Sequence, residues 1–200
     1  MKAHSISALL AQFLLNKKNR CLRYFGKGAP APLNVQVVGL FNDATATKIQ
    51  HHALATMVAL PFDSIIVGND HPRPYQFFGI ATGKPVFMLN YDGTFTPSDK
   101  DTGNRVVLFQ SCLSTGEIVA KNLQLLKKHG IYIVRTCAIF DYELSICEEN
   151  LKGVDKTSLV TLSDLLELAE ITELIPKEQI AVVRKWQSEQ KFMLVKDGMD

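Results

Sequence analysis

Short apolar runs recur along this chain, each divided from the next by a helical pattern or a turn, and they are continuous rather than strictly alternating. They cover residues 35–41, 62–68, 85–89, 106–109, 131–140 and 159–162. A strand with one face in water alternates polar and apolar residues. A strand that is apolar throughout is buried on both faces, the condition of a parallel sheet covered by helices. The intervening segments supply those helices. Ile6, Leu9, Leu10, Phe13 and Leu14 recur at helical spacing, with Ser5 placed to cap them. Residues 45–60 read as a helix stopped by Pro61, 75–82 as a short one ended by Gly83, and 116–129 as one closed by Gly130. Ser163 is the expected N-cap of a further helix, and a last one runs from about Pro176 with Ile180, Val183 and Trp186 on one face. Residues 90–103, rich in Asp, Thr and Gly, are expected to form a flexible loop. The expectation is an α/β fold, one domain over residues 1–200.

Composition narrows the function. Twenty-two Lys and Arg against 20 Asp and Glu leave a formal charge of +2. That balance implies no basic face for a phosphate backbone, so no nucleic-acid partner is expected. No run approaches the roughly 18 apolar residues of a membrane helix, and no membrane partner is expected. Lys2 and the apolar stretch after it have the look of a signal peptide. Asn16-Lys17-Lys18-Asn19-Arg20 follows without a small-residue cleavage site, so a cytoplasmic location is expected. Cys21, Cys112, Cys137 and Cys147 form no C-x-x-C pair, and His51 and His52 point about 100° apart on a helix. No metal site is read from them.

In open parallel sheets, ligands bind beyond the carboxyl ends of the strands. Three such segments stand out: residues 68–74, residues 90–103, and Gln110-Ser111-Cys112-Leu113-Ser114-Thr115-Gly116-Glu117. The third lies between a strand and a helix. A Ser/Thr/Gly turn there offers free N–H groups and the positive helix end to an anion, so Ser114, Thr115 and Gly116 are candidates to cradle a phosphate. On spacing alone the same turn is more often only a cap.

Several segments together resemble the orotate phosphoribosyltransferases. They are Gly39-Leu40-Phe41-Asn42, Phe62-Asp63 with Gly68 after the strand, the strand-turn-helix of residues 106–130, the strand ending in Asp141, Thr161-Leu162-Ser163-Asp164-Leu165-Leu166, and Ile180 to Trp186. The resemblance runs from about residue 25 to about residue 189. It implies a type I phosphoribosyltransferase fold: a parallel sheet flanked by helices, with a small N-terminal hood. Residues 1–34 would form the N-terminal helix and hood segment, and residues 35–200 the α/β core. It also implies a homodimer, and transfer of ribosyl phosphate from a magnesium complex of phosphoribosyl pyrophosphate to orotate. Magnesium is thus expected if that donor is bound.

The resemblance assigns roles residue by residue. The family's strand ends in two acidic residues that hold the ribose hydroxyls; Gln110 and Ser111 stand there, neutral, without the charge-assisted strength of a carboxylate. Ser114, Thr115 and Gly116 match the family's 5′-phosphate turn, but Glu117 follows where a hydroxyl or small residue is usual. Its carboxylate would repel a phosphate by roughly 1 kcal/mol in water-like surroundings. The family's mobile loop is cationic, whereas residues 90–103 offer Lys100 among three aspartates. In the pyrophosphate turn of Asp70, His71 and Arg73, Arg73 stands in for a lysine and Asp70 opposes it. Tyr142 occupies the place of the arginine that receives the orotate carboxylate, and Lys27 that of the hood lysine touching the base. The expected function is a phosphoribosyltransferase-like protein with a degenerate donor site. It would bind a nucleotide or sugar phosphate as a regulatory or binding paralogue. The alternative is an active phosphoribosyltransferase of pyrimidine nucleotide metabolism, or one with an altered substrate.

Overall fold

The computed structural model describes residues 3–16, 21–24, 31–37, 44, 47–50, 53, 59–68, 79, 82–90, 92–96 and 101–189. Helix α1 (Ala3–Leu15) leads to an antiparallel pair, β1 (Leu22–Tyr24) and β2 (Leu33–Val35). The main sheet follows with β3 (Ser64–Gly68), β4 (Val86–Leu89), β5 (Phe95–Thr96) and β6 (Arg105–Leu113). Then come α2 (Glu117–Lys128), β7 (Tyr132–Asp141), α3 (Ser145–Asn150), β8 (Lys156–Thr161), α4 (Leu162–Ile171) and α5 (Lys177–Glu189). The order across the six-stranded sheet is β5-β4-β3-β6-β7-β8, parallel except for β5 at one edge.

The apolar runs are continuous because successive side chains enter different cores. Ile65, Val67, Val107, Phe109, Cys137 and Ile139 pack with Leu10 and Leu14 of α1, Leu165 and Leu166 of α4, and Val183 of α5. Their neighbours Ile66, Val106, Leu108 and Ala138 face the other way, onto Val119 and Leu126 of α2, Cys147 of α3, and Leu151. A period of two with both faces buried leaves no polar positions. Leu33 and Val35 of β2 join the first of these clusters, and the Tyr142 hydroxyl accepts the Val35 N–H at 2.8 Å, tying the pair to the sheet.

Four local expectations change. Residues 90–103 are not wholly a loop. Asn90 N–H donates to the Thr94 carbonyl, Asp92 Oδ1 accepts the N–H and hydroxyl of Thr94, and β5 pairs antiparallel with β4. The short polar side chains that suggested disorder instead close an Asx-type turn. Ser163 is not the cap of α4: the chain passes from β8 into the helix without a loop. Extended Thr161 forms a capping box with Asp164, while Ser163 N–H donates to Glu143 Oε2. Helix α1 begins at Ala3, upstream of Ser5. Finally, β6 continues past Phe109 to Leu113, so Gln110 and Ser111 lie within a strand.

Candidate functional site

The connection from β3 leads to β4 on one side, and that from β6 leads through α2 to β7 on the other. This reversal puts the switch point of the sheet at the carboxyl ends of β3 and β6, the place where such sheets take ligands. Two candidate features meet there.

The first is Gln110. Phe109 pairs in register with Val67, which brings the next residues, Gln110 and Gly68, side by side. A Cβ at Gly68 would lie 3.0 Å from Gln110 Nε2 and 3.1 Å from Oε1, so the absence of a side chain makes room for the carboxamide. Gln110 is 4% exposed, and its Nε2 is buried without a hydrogen-bond partner among the described residues. Buried donors are nearly always paired, so an orphan of this kind calls for an explanation. Ser111 is half-buried and, by strand alternation, faces the opposite side of the sheet.

The second is the turn after β6. Ser114 is exposed, Thr115 half-buried and Gly116 buried. Gly116 has φ 78°, and a Cβ there would meet Leu151 Cγ at 3.1 Å and Cys147 Sγ at 3.2 Å. Only glycine combines that left-handed backbone with that close approach at little cost. Asn150 Nδ2 donates to the Thr115 carbonyl at 2.8 Å, fixing the turn to α3. Hydrogen bonding resumes with Ala120 N–H to the Gly116 carbonyl; among the described residues, no acceptor meets the N–H groups of residues 114–119. These donors and the positive end of α2 suit an anion. Exposed Glu117 opens the first turn of α2 and fills the acidic position that a bare helix prefers.

The end of β7 is occupied differently. Asp141 accepts Glu143 N–H at 2.7 Å and Lys156 Nζ at 3.1 Å, and Lys156 also meets Glu148 Oε1 at 2.7 Å. Burial disfavours the Lys156 charge, but hydrogen bonds to Glu148 and Asp141 outweigh it and hold the ammonium above the ordinary lysine pKa. Tyr142 donates its own N–H to the Leu113 carbonyl, while its ring packs edge-on against Phe140 and Trp186. Burial pushes its phenol up to about 12. Burial likewise pushes the thiols of Cys137 and Cys147 up, to about 12 and about 11.

The structure therefore brings Gly68 against Gln110, and sets Ser114, Thr115, Gly116 and Glu117 directly after the same strand. Tyr142 it ties through its hydroxyl to Val35 of β2. Lys27, Asp70, His71, Arg73 and Lys100 lie outside the described residues. Sequence reasoning missed Asn150 and the Lys156 cluster, because α3 is six residues long and carries no periodic signal. Asp63, singled out with Phe62 in the sequence, has a role not read there: its Oδ2 accepts the N–H groups of Asn104 and Arg105 and holds the start of β6. A cavity of about 500 Å³ opens elsewhere, between α1, the β1–β2 pair, α4 and α5, and shares no residue with this site.

Magnesium does not fit the described part of the site. Gln110 and Ser111 carry no charge, Asp141 is already paired with Lys156, and no group of three His, Cys, Asp or Glu among the described residues could hold a metal.

Comparison with known proteins agrees with this architecture. No family model matches the chain. The orotate phosphoribosyltransferase of Lactococcus lactis is 29% identical over 91 residues, so the match spans 44% of each protein, less than half of either. Leishmania donovani UMP synthase superposes with a TM-score of 0.75 at 21% identity, over 92% of this chain and 42% of that one. Orotate phosphoribosyltransferase from Aeropyrum pernix gives 0.64 at 19% identity, over 79% and 97%. The chain has the type I phosphoribosyltransferase fold and is related to the orotate phosphoribosyltransferases.

Proposed function

We propose that this chain is an orotate phosphoribosyltransferase-like protein with a degenerate donor site. It binds a nucleotide or sugar phosphate without normal ribosyl transfer, as a binding or regulatory paralogue, cytoplasmic and homodimeric by analogy with its relatives. One observation carries the reading: the positions matching the family's acidic pair hold Gln110 and Ser111, while the N–H groups of the Ser114–Gly116 turn beside them have no acceptor among the described residues. The phosphate cradle is retained. The charge that would hold the ribose and offset oxocarbenium character in transfer is not.

A melting assay tests this. A ligand at one hundred times its dissociation constant stabilises a protein by about 2.7 kcal/mol. The expected result is no shift with magnesium phosphoribosyl pyrophosphate and a clear shift with inorganic phosphate or uridine 5′-monophosphate. Changing Glu117→Thr, Gln110→Asp and Ser111→Asp together should create donor binding. Release of pyrophosphate from the unaltered protein with orotate would establish the second reading, an active transferase, which the retained Ser114-Thr115-Gly116 turn favours.

A further inference from the structure

We infer that the cavity between α1, the β1–β2 pair, α4 and α5 is a binding site for a small amphipathic monoanion, an apolar body ending in one carboxylate whose charge Arg23 receives. The site is separate from the switch point of the sheet. Neither Gly68, Gln110 and Tyr142 nor the turn of residues 114–117 lines it, so the inference does not rest on the phosphate reading.

The walls select the body of the ligand. The cavity holds about 500 Å³, within the range of small-molecule sites, which are concave and mostly apolar. Of its 13 described lining residues, nine are Leu, Ile, Val or Pro, and none is acidic. Leu14, Leu33, Leu166 and Val183 are each buried and come from four different elements, so the apolar surface surrounds whatever enters. Leu174 is 39% exposed and marks the side open to water. An aliphatic or aromatic group seated there leaves water on several sides at once.

Charge selects the head. Arg23 is the one charged residue in the described lining. It is exposed, and among the described residues no side-chain hydrogen bond or ion pair engages its guanidinium. Two helix ends also reach the wall, and they oppose each other. The last turn of α1 brings a partial charge of about −0.5, and the first turn of α5 brings about +0.5. They nearly cancel, which leaves the full charge of Arg23 to set the sign. A guanidinium receives a carboxylate through two parallel N–H bonds, and a neutral head gains no such charge-assisted pair. A cationic head would meet Arg23 with no lining carboxylate to offset the repulsion.

Calorimetric titration of the full chain tests this with octanoate, octanamide and octylammonium, which share one apolar body and differ in the charge of the head. Octanoate should bind at one per chain, about tenfold more tightly than octanamide, and octylammonium should bind most weakly. Arg23→Gln should lower octanoate to the level of octanamide and leave octanamide unchanged. Leu174→Asp sets a like charge at the open side and should weaken octanoate more than octanamide. Both positions are exposed, and the comparison of probes on the unaltered protein stands even if a variant misfolds. Absence of saturable binding, equal affinity for the three probes, or an unchanged octanoate affinity in Arg23→Gln overturns the inference. Inorganic phosphate titrated alongside reports on the turn after β6, so failure of one reading leaves the other standing.

Discussion

Asp141 and Gln110 are buried polar side chains on neighbouring strands, 5% and 4% exposed, near the same end of the sheet. Asp141 is fully compensated: a backbone N–H occupies one carboxylate oxygen and the Lys156 ammonium the other. Gln110 is left without a partner for its Nε2 among the described residues. The difference separates architecture from function. A satisfied cluster such as Asp141–Lys156–Glu148 positions α3 and so braces the turn that Asn150 holds. An orphan contributes no hydrogen bond to the fold, a condition that the buried hydroxyl oxygens of Thr136 and Ser145 share among the described residues.

Breaking the compensated end should have the largest effect. Lys156→Met leaves the Asp141 carboxylate buried without its counter-ion and should cost about 3–5 kcal/mol in denaturant unfolding. A loss below about 1 kcal/mol would show that the cluster is not bracing the fold. Tyr142→Phe comes next. It removes the acceptor of the Val35 N–H and should cost about 1–2 kcal/mol.

The same end of the sheet carries a pH dependence. Tyr142 titrates near 12 in the folded chain against an ordinary 10, and Cys137 and Cys147 near 12 and 11 against 9. Each raised pKa means that the unfolded chain loses its proton first. Stability should therefore be full below pH 9 and fall as pH rises through these values. Urea midpoints measured across that range check the sign, and a midpoint that rises with pH there would contradict it.

The smallest effect, of opposite sign, sharpens the comparison most. Gln110→Leu removes an unpaired donor from a buried place and should leave the ligand-free protein as stable, or more stable by up to about 1 kcal/mol. A loss comparable to that of Lys156→Met would mean that Gln110 is a structural residue after all.

Much of this was legible beforehand. The strand runs 62–68, 85–89, 106–109 and 131–140 correspond to β3, β4, β6 and β7, because burial on both faces leaves an unbroken apolar signature. Gly130 closes α2 as its position suggested, with φ 73°. The turn at Ser114–Gly116 was legible for the same local reason, since a glycine with hydroxyl neighbours between strand and helix has few uses. Ser163 misled because capping depends on which residue is extended when the helix starts, and that residue is Thr161. Helix α3 left no signature: six residues are too few for a period to show.

What the sequence by itself determined is the order of β3, β4, β6, β7 and the longer helices α1, α2, α4 and α5, and the neutral character of residues 110 and 111, since both follow from side-chain chemistry along the chain. Only the tertiary structure decided that Gln110 lies against Gly68, 42 positions earlier, that Asp141 is neutralised by Lys156, and that Asn150 fixes the turn. Those pairings depend on strand register and on which elements share a face. Such relations are set by packing across the whole sheet, and no local pattern encodes them.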